Sequence, residues 1–302
     1  MCRSWGVLCG LLAAVDGSCP ARGQAAGPTH VQPVLLSVQD ESVYAPPQPP
    51  RRQEQVNLGG VSALVEVVYV DRYLFRGLDR NNLGGAQPES GGHLQLDASL
   101  RFDLDKMPHP FVGVFVNVFD NDPVSDFQEI RPYFGADWNL RPLLLSFGHN
   151  SYIYPDRDQI NTSEVFVRLT FDDSWLFRIE KPLLSPYILA AYDYDLYEAW
   201  YFEAGIRHVH EFDEIGLTLT LDARVAFVSD NAQFAGPRGD DTGFHHYQVK
   251  LTAAYSLNNL FNVSKRWGEW SIVGFIAYTD AISDDLNADT RLWGGGGIRF
   301  AY

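Results

Sequence analysis

Beyond residue 19 the chain has no cysteine: all three, Cys2, Cys9 and Cys19, precede residue 20 of 302. The remainder therefore carries no disulfide framework and no thiolate metal site. Long hydrophobic runs are missing as well. No stretch reaches the roughly 18 apolar residues of a membrane-spanning helix, and mean hydropathy is −0.16. Basic residues are scarce, 23 Lys and Arg against 38 Asp and Glu, for a net charge of −15. A nucleic-acid binder needs a basic face for the phosphates, so nucleic acid is excluded as a partner.

Several site chemistries are excluded on the same footing. No Gly-rich phosphate loop joins a strand to a helix. Two acidic runs offer oxygens, Asp120, Asp122, Ser125 and Asp126 and then Asp280, Asp284, Asp285 and Asp289. Neither has the central glycine or twelfth-position glutamate of an EF-hand loop. His245 and His246 are adjacent, which places them on opposite faces of a strand and keeps them from sharing a metal. No metal and no cofactor is expected.

What the chain does have is aromatic residues and alternation. Phe (19) and Tyr (15) are numerous, which favours strands. The N-terminus reads as an address: Arg3, then the apolar run Gly6 to Val15, then small and polar residues. The run is too short to span a bilayer and fits a signal-peptide core. Residues 1–26 are read as an export signal, cleaved after Ala25 or Ala26. A lipoprotein signal at Cys19 is disfavoured, because Asp16 stands where an aliphatic residue is wanted. Residues 27–58, Pro- and Gln-rich without periodicity, read as a periplasmic linker.

From residue 59 to 302 the period is two. In "HLQLDASLRFDL", Leu94, Leu96, Ala98, Leu100, Phe102 and Leu104 share one face, with His93, Gln95, Asp97, Ser99, Arg101 and Asp103 opposite. Strands are expected near 60–76, 92–104, 110–119, 127–139, 143–154, 162–172, 186–195, 199–211, 215–228, 243–256, 269–279 and 289–302. An even number of strands of about ten residues or more, with short turns alternating with long acidic loops, is the outer-membrane arrangement. The two connections near 173–185 and 257–268 are long on the short-turn side and are expected to carry a helical turn. The rival is a soluble β-sandwich or barrel. Aromatics grouped at strand ends, among them Tyr69, Tyr73 and Phe75, suit membrane-interface girdles and favour the membrane barrel. The fold class is thus all-β: an up-and-down antiparallel transmembrane β-barrel of about twelve strands.

In such a barrel the polar faces line the lumen. Glu66, Asp97, Glu129, Glu164, Glu203 and Asp222 would point in, with Arg76, Arg101, Arg131, Arg168, Arg207 and Arg224. Asp103, Asp137, Asp193, Asp195, Arg72, Lys250, Arg291 and Arg299 would join them. Same-strand neighbours of opposite sign, Asp97 with Arg101, Glu129 with Arg131, Glu164 with Arg168, Glu203 with Arg207 and Asp222 with Arg224, are expected to pair. This interior is either a charge ladder filling a narrow barrel or a water-filled pore for small solutes. No long internal segment is expected to fold into the lumen.

One enzymatic alternative is visible. His149 and Ser151 share a strand face, with Asn161 or Glu164 on the next strand. The arrangement resembles the active site of outer-membrane phospholipases and lipid A deacylases, with Ser151 as nucleophile and His149 as base. A structural or adhesive barrel acting through its acidic loops is the other alternative. The closing stretch "GGGGIRFAY" puts Ile298, Phe300 and Tyr302 on the lipid face. A terminal aromatic of this kind resembles the signal read by the barrel assembly machinery. Gly294 to Gly297 are expected to allow close approach where the last strand meets the first. Outer-membrane lipid and that machinery are the expected partners.

Three stretches are similar to a family of bacterial outer-membrane proteins of the TorF type: Tyr73-Leu74-Phe75-Arg76-Gly77 after the first strand, "SYIYPDRDQINTSEVFV" (151–167), and "SPYILAAYDYDLYEAWYFEAGIRH" (185–208). The resemblance implies a monomeric outer-membrane barrel with a porin-like role and brings no catalytic residues with it.

Overall fold

A computed structural model describes residues 60–80, 91–104, 107–119, 128–155 and 157–302. The segments read as signal and linker lie outside the described residues, as does the acidic run 120–126. The described chain forms a closed barrel of twelve antiparallel strands. These are β1 (Val61–Val70), β4 (His93–Phe102), β5 (His109–Phe119), β6 (Glu129–Leu140), β7 (Leu143–Tyr152), β8 (Thr162–Phe171), β9 (Tyr187–Asp193), β10 (Ala199–Phe212), β11 (Leu217–Ser229), β12 (Gly243–Ser256), β13 (Glu269–Ala281) and β14 (Arg291–Ala301). A two-stranded hairpin, β2 (Leu74–Phe75) with β3 (Leu78–Asp79), stands apart from the wall.

Each wall strand pairs with its neighbours in sequence, and β14 closes on β1, with Val65 opposite Phe300 and Val67 opposite Ile298. Tyr302 and Ala63 exchange both backbone hydrogen bonds at 2.8 Å. Closure leaves the wall no unpaired edge. The seam requires glycine. A Cβ on Gly297 would lie 1.9 Å from the Val67 carbonyl oxygen and 2.7 Å from the Val68 Cα.

The alternation divides outside from inside. Leu94, Phe134, Ile188, Leu251, Ile276, Leu292 and Ile298 face outward and are exposed, so the outer surface is an apolar band around the whole wall. Such a band, on strands of this length closed without an edge, is what hydrocarbon tolerates and water does not. The fold is an outer-membrane-type transmembrane barrel. The connections after β8 and β12 each carry a short helix, Ser174–Phe177 and Leu257–Phe261.

Three expectations need correction. The first strand stops at Val70 and not at residue 76: Arg76 (φ 50°) and Gly77 (φ 78°) make a two-residue turn between β2 and β3. Two consecutive positive φ values mark the turn whose twist suits a tight hairpin. Tyr73, Leu74, Phe75, Leu78, Asp79 and Arg80 are all at most 4 % exposed, so this segment folds into the lumen, and Tyr73 and Phe75 are not girdle residues. Second, β4 and β9 end before Asp103 and Asp195, which are exposed. Third, the register of β12 against β11 slips between Tyr247–Val225 and Phe244–Phe227. The resulting β-bulge sets two residues opposite one, and His245 and His246 are both fully buried, with their Nδ1 atoms 2.8 Å apart.

Candidate functional site: the lumen and its hairpin

The lumen at the long-loop end is built around the hairpin. Because the wall closes without β2 and β3, the hairpin pairs only with itself and is held in place by wall side chains and by the loops above. Arg76, at the hairpin turn, reaches Glu164 of β8 through two bonds, Nη1 to Oε2 at 2.9 Å and Nη2 to Oε1 at 3.0 Å. Asn150 Nδ2 and the Tyr152 hydroxyl each donate to the same carboxylate at 2.8 Å. The guanidinium lies 4.2 Å from the Tyr201 ring centre. A carboxylate and a guanidinium removed from water need such saturation to be tolerated.

A second cluster anchors the hairpin base. The Tyr73 hydroxyl donates to Glu129 Oε2 at 3.0 Å and accepts from Arg131 Nη2 at 2.9 Å, while Arg131 Nε donates to Glu129 Oε1 at 2.8 Å. Burial, and after it the Glu129 charge, pushes the Tyr73 phenol well above its ordinary range, which keeps it a donor. Arg131 stands 4.6 Å from the Phe115 ring centre and 5.0 Å from that of Phe75. On the other strand of the hairpin, buried Asp79 takes Arg72 at 2.9 Å and Arg291 at 3.1 Å. Its backbone N–H donates to Asp289 at 2.8 Å, and Asp289 N donates to the Gly77 carbonyl at 2.8 Å.

The outer loops descend onto this hairpin. Phe234 and Leu286 are buried at 0 % and 5 % exposure, and Asn287 N donates to Phe234 O at 2.9 Å. His245 Nε2 bonds Asn287 O at 2.8 Å, and the Phe234 ring lies edge-on to His245 at 4.6 Å. Gly77 rests on His246: a Cβ at Gly77 would stand 2.7 Å from two atoms of that ring. Beside the hairpin lies a small recess lined by Phe75, Arg76, Arg80, Tyr152, Tyr154, Ile160, Thr162, Glu164, Asp193, Tyr197 and Gln233. Burial, then Glu129, raises the Tyr154 phenol above its ordinary range; burial leads the rise of Tyr197 as well.

Below the hairpin the interior continues as cross-strand pairs. Glu66 meets Arg299, and Asp222 meets Arg207. Arg101 lies 3.4 Å from Asp137, and Arg224 lies 3.5 Å from Glu203 while donating to Gln248 at 3.0 Å. Asp97 accepts from the Tyr133 hydroxyl at 2.7 Å, and Glu203 from Tyr187 at 2.7 Å and Tyr201 at 3.0 Å. Arg168 stacks 3.7 Å from the Tyr187 ring centre. Glu129 pairs with Arg131 of its own strand, as expected, and Glu164, Glu203 and Asp222 also take arginines from other segments. Directly opposed residues on neighbouring strands are closer than i and i+2 on one strand.

The hydrolase constellation does not assemble. His149 Nε2 bonds the Tyr194 hydroxyl at 2.7 Å and its ring stacks on Phe134. Ser151 Oγ accepts from Ser163 Oγ at 3.4 Å. Asn161 accepts from Tyr154 N at 2.7 Å, and Glu164 faces the lumen. Nucleophile, base and orienting group are each engaged elsewhere. Sequence reasoning missed the hairpin and the histidine pair. The pair did leave a trace: Phe244 is out of phase with Tyr247, Val249 and Leu251, all of which face outward.

No protein-family model matches the chain, and no curated protein matches it. Among solved structures it is similar to an outer membrane channel from Pseudomonas putida F1 (TM-score 0.43, 10% identity, 84% of this chain and 99% of that one). It is also similar to a FadL homologue from Pseudomonas aeruginosa (0.38, 12%, 82% and 91%) and to an anion-selective porin from Comamonas acidovorans (0.34, 9%, 80% and 98%). Likeness at this level says nothing of solute or mechanism. The TorF-type resemblance stays one of short stretches, and those three meet in space: Arg76 comes from the first, Glu164 from the second and Tyr201 from the third.

Proposed function

We propose that the chain is an outer-membrane transport barrel for small polar solutes, and that the 71–80 hairpin holds its path shut in the state described. The observation that supports this is the independence of hairpin and wall. Twelve strands close without the hairpin, and it is held by removable polar contacts at Glu164, Glu129 and Asp289. Moving it would expose a lumen lined by arginines and carboxylates in near balance, a lining that solvates small polar solutes. Export by residues 1–26, recognition of Ile298, Phe300 and Tyr302 by the assembly machinery, and outer-membrane lipid around the wall belong to the same proposal.

The test is liposome swelling with solutes of graded size. The parent and a variant with residues 73–80 replaced by Gly and Ser are compared after folding is verified. Faster swelling in the replaced variant, cut off above a size limit, is the expected result; equal impermeability of both removes the reading. A second reading, a purely structural barrel, is favoured by the aromatic packing of Phe115, Tyr152 and Tyr154 around the hairpin, and equal impermeability would leave it standing.

A further inference from the structure

We propose that His245 and His246 form a pH-sensitive latch, which holds the hairpin in the lumen while neutral and releases it when the pair takes up a proton. The inference deepens the transport reading and rests on it. It starts from the bulge, which alone lets two adjacent residues of one strand turn to the same side.

The hydrogen bonds leave one arrangement of protons. The Asn287 carbonyl only accepts, so His245 Nε2 carries a hydrogen and donates to it. A neutral His245 then offers Nδ1 as an acceptor, and His246 Nδ1 donates to it across 2.8 Å. That leaves His246 Nε2 as a bare lone pair, buried and without a hydrogen-bond partner among the described residues. A proton added to His245 would set two N–H groups against each other. A proton added to His246 Nε2 would create a cation in a buried site, near Arg224 of β11 and Arg76 of the hairpin, both positive. Among the described residues, the loop above presents the Asn287 carbonyl to the pair and the loop before β12 presents the Phe234 ring, while the carboxylates Glu164 and Glu203 are engaged by those two arginines.

Both histidines touch parts that would have to move. His246 lies against Gly77 at the hairpin turn. His245 ties down the loop at Asn287, and through Asp289 that same loop holds the Gly77 carbonyl and the Asp79 N–H. Charging the pair therefore loosens the hairpin tip and the loop over it together. Released into water, each imidazole takes its proton at an ordinary pKa of about 6.5. The closed state is fully held above that pH and is lost as pH falls below it.

The experiment uses Leu78→Cys, at a site 1 % exposed, with Cys2, Cys9 and Cys19 replaced by serine. The folded protein is placed in phosphatidylcholine vesicles, and labelling by a water-soluble maleimide is followed at pH 7.5 and pH 5.0. The rate is taken relative to an Arg238→Cys reference, in an exposed loop at the same end of the barrel, which cancels thiol ionisation. For one linked proton the relative rate rises about thirtyfold between the two pH values. His245→Gln with His246→Gln abolishes the response; if that double variant fails to fold, His246→Gln alone is read in the same way. A rise above threefold that the variant loses supports the latch. A smaller rise in the parent, or a full response in the variant, overturns it. Labelling that responds to pH while a planar bilayer stays silent at both values leaves the latch standing and removes the transport reading.

Discussion

The Arg76 guanidinium and the Glu164 carboxylate, 88 residues apart, are joined by two hydrogen bonds of 2.9 and 3.0 Å inside the barrel. The pair links a segment that is no part of the wall to the wall itself. Glu164 also takes Asn150 and Tyr152, so removing the arginine takes a two-bond charged partner from a buried anion. Arg76→Ala should destabilise the folded barrel by about 3–5 kcal/mol, as expected for a broken buried pair. Arg76→Leu with Glu164→Leu should cost less than either single change. Urea unfolding in lipid vesicles measures both.

The hairpin turn makes a sharper prediction. Gly77→Ala meets both a left-handed backbone (φ 78°) and the His246 ring at 2.7 Å. It should cost about 1–3 kcal/mol and increase maleimide labelling at Leu78→Cys. Gly239→Ala, with φ 83° but nothing within 4 Å, carries the backbone cost alone and should leave labelling at its parent rate. Equal labelling in the two variants would mean that the hairpin does not rest on His246.

At the seam, Gly297→Val should prevent closure, since even a Cβ would overlap the Val67 carbonyl at 1.9 Å. The folded fraction, read from the shift in gel mobility on heating, should fall to a small part of the parent's. Gly296→Ala, where the nearest contact is 3.3 Å and the side chain faces outward, should fold normally.

Ser151→Ala should change nothing in lipid hydrolysis, because Ser151 and His149 bond Ser163 and Tyr194 respectively. The measurement is fatty-acid release from phospholipid and lipid A by the folded protein. Release that this substitution abolishes would restore the hydrolase alternative.

The wall was legible because alternation is local: Leu94, Leu96 and Leu100 declare their face without knowing what lies beyond the sheet. The interior was not. Tyr73 to Arg76 continue the aromatic and apolar texture of β1, and their burial depends on Glu164 and Glu129, far along the chain. Arg-Gly is also a weaker hairpin signal than Asn-Gly. The His245–His246 bulge was half visible, in the phase slip between Phe244 and Tyr247. Same-strand charge pairs could be read from spacing, but partners such as Asp222 with Arg207 depend on register, which the closed sheet determines.

Single-channel recording in a planar bilayer tests the central claim most directly, that a movable hairpin closes a conducting lumen. The parent at pH 7.5 should show rare, brief openings. The variant with residues 73–80 replaced by Gly and Ser should show stable steps of uniform size. Silence from both, with both proteins folded and inserted, would contradict the account.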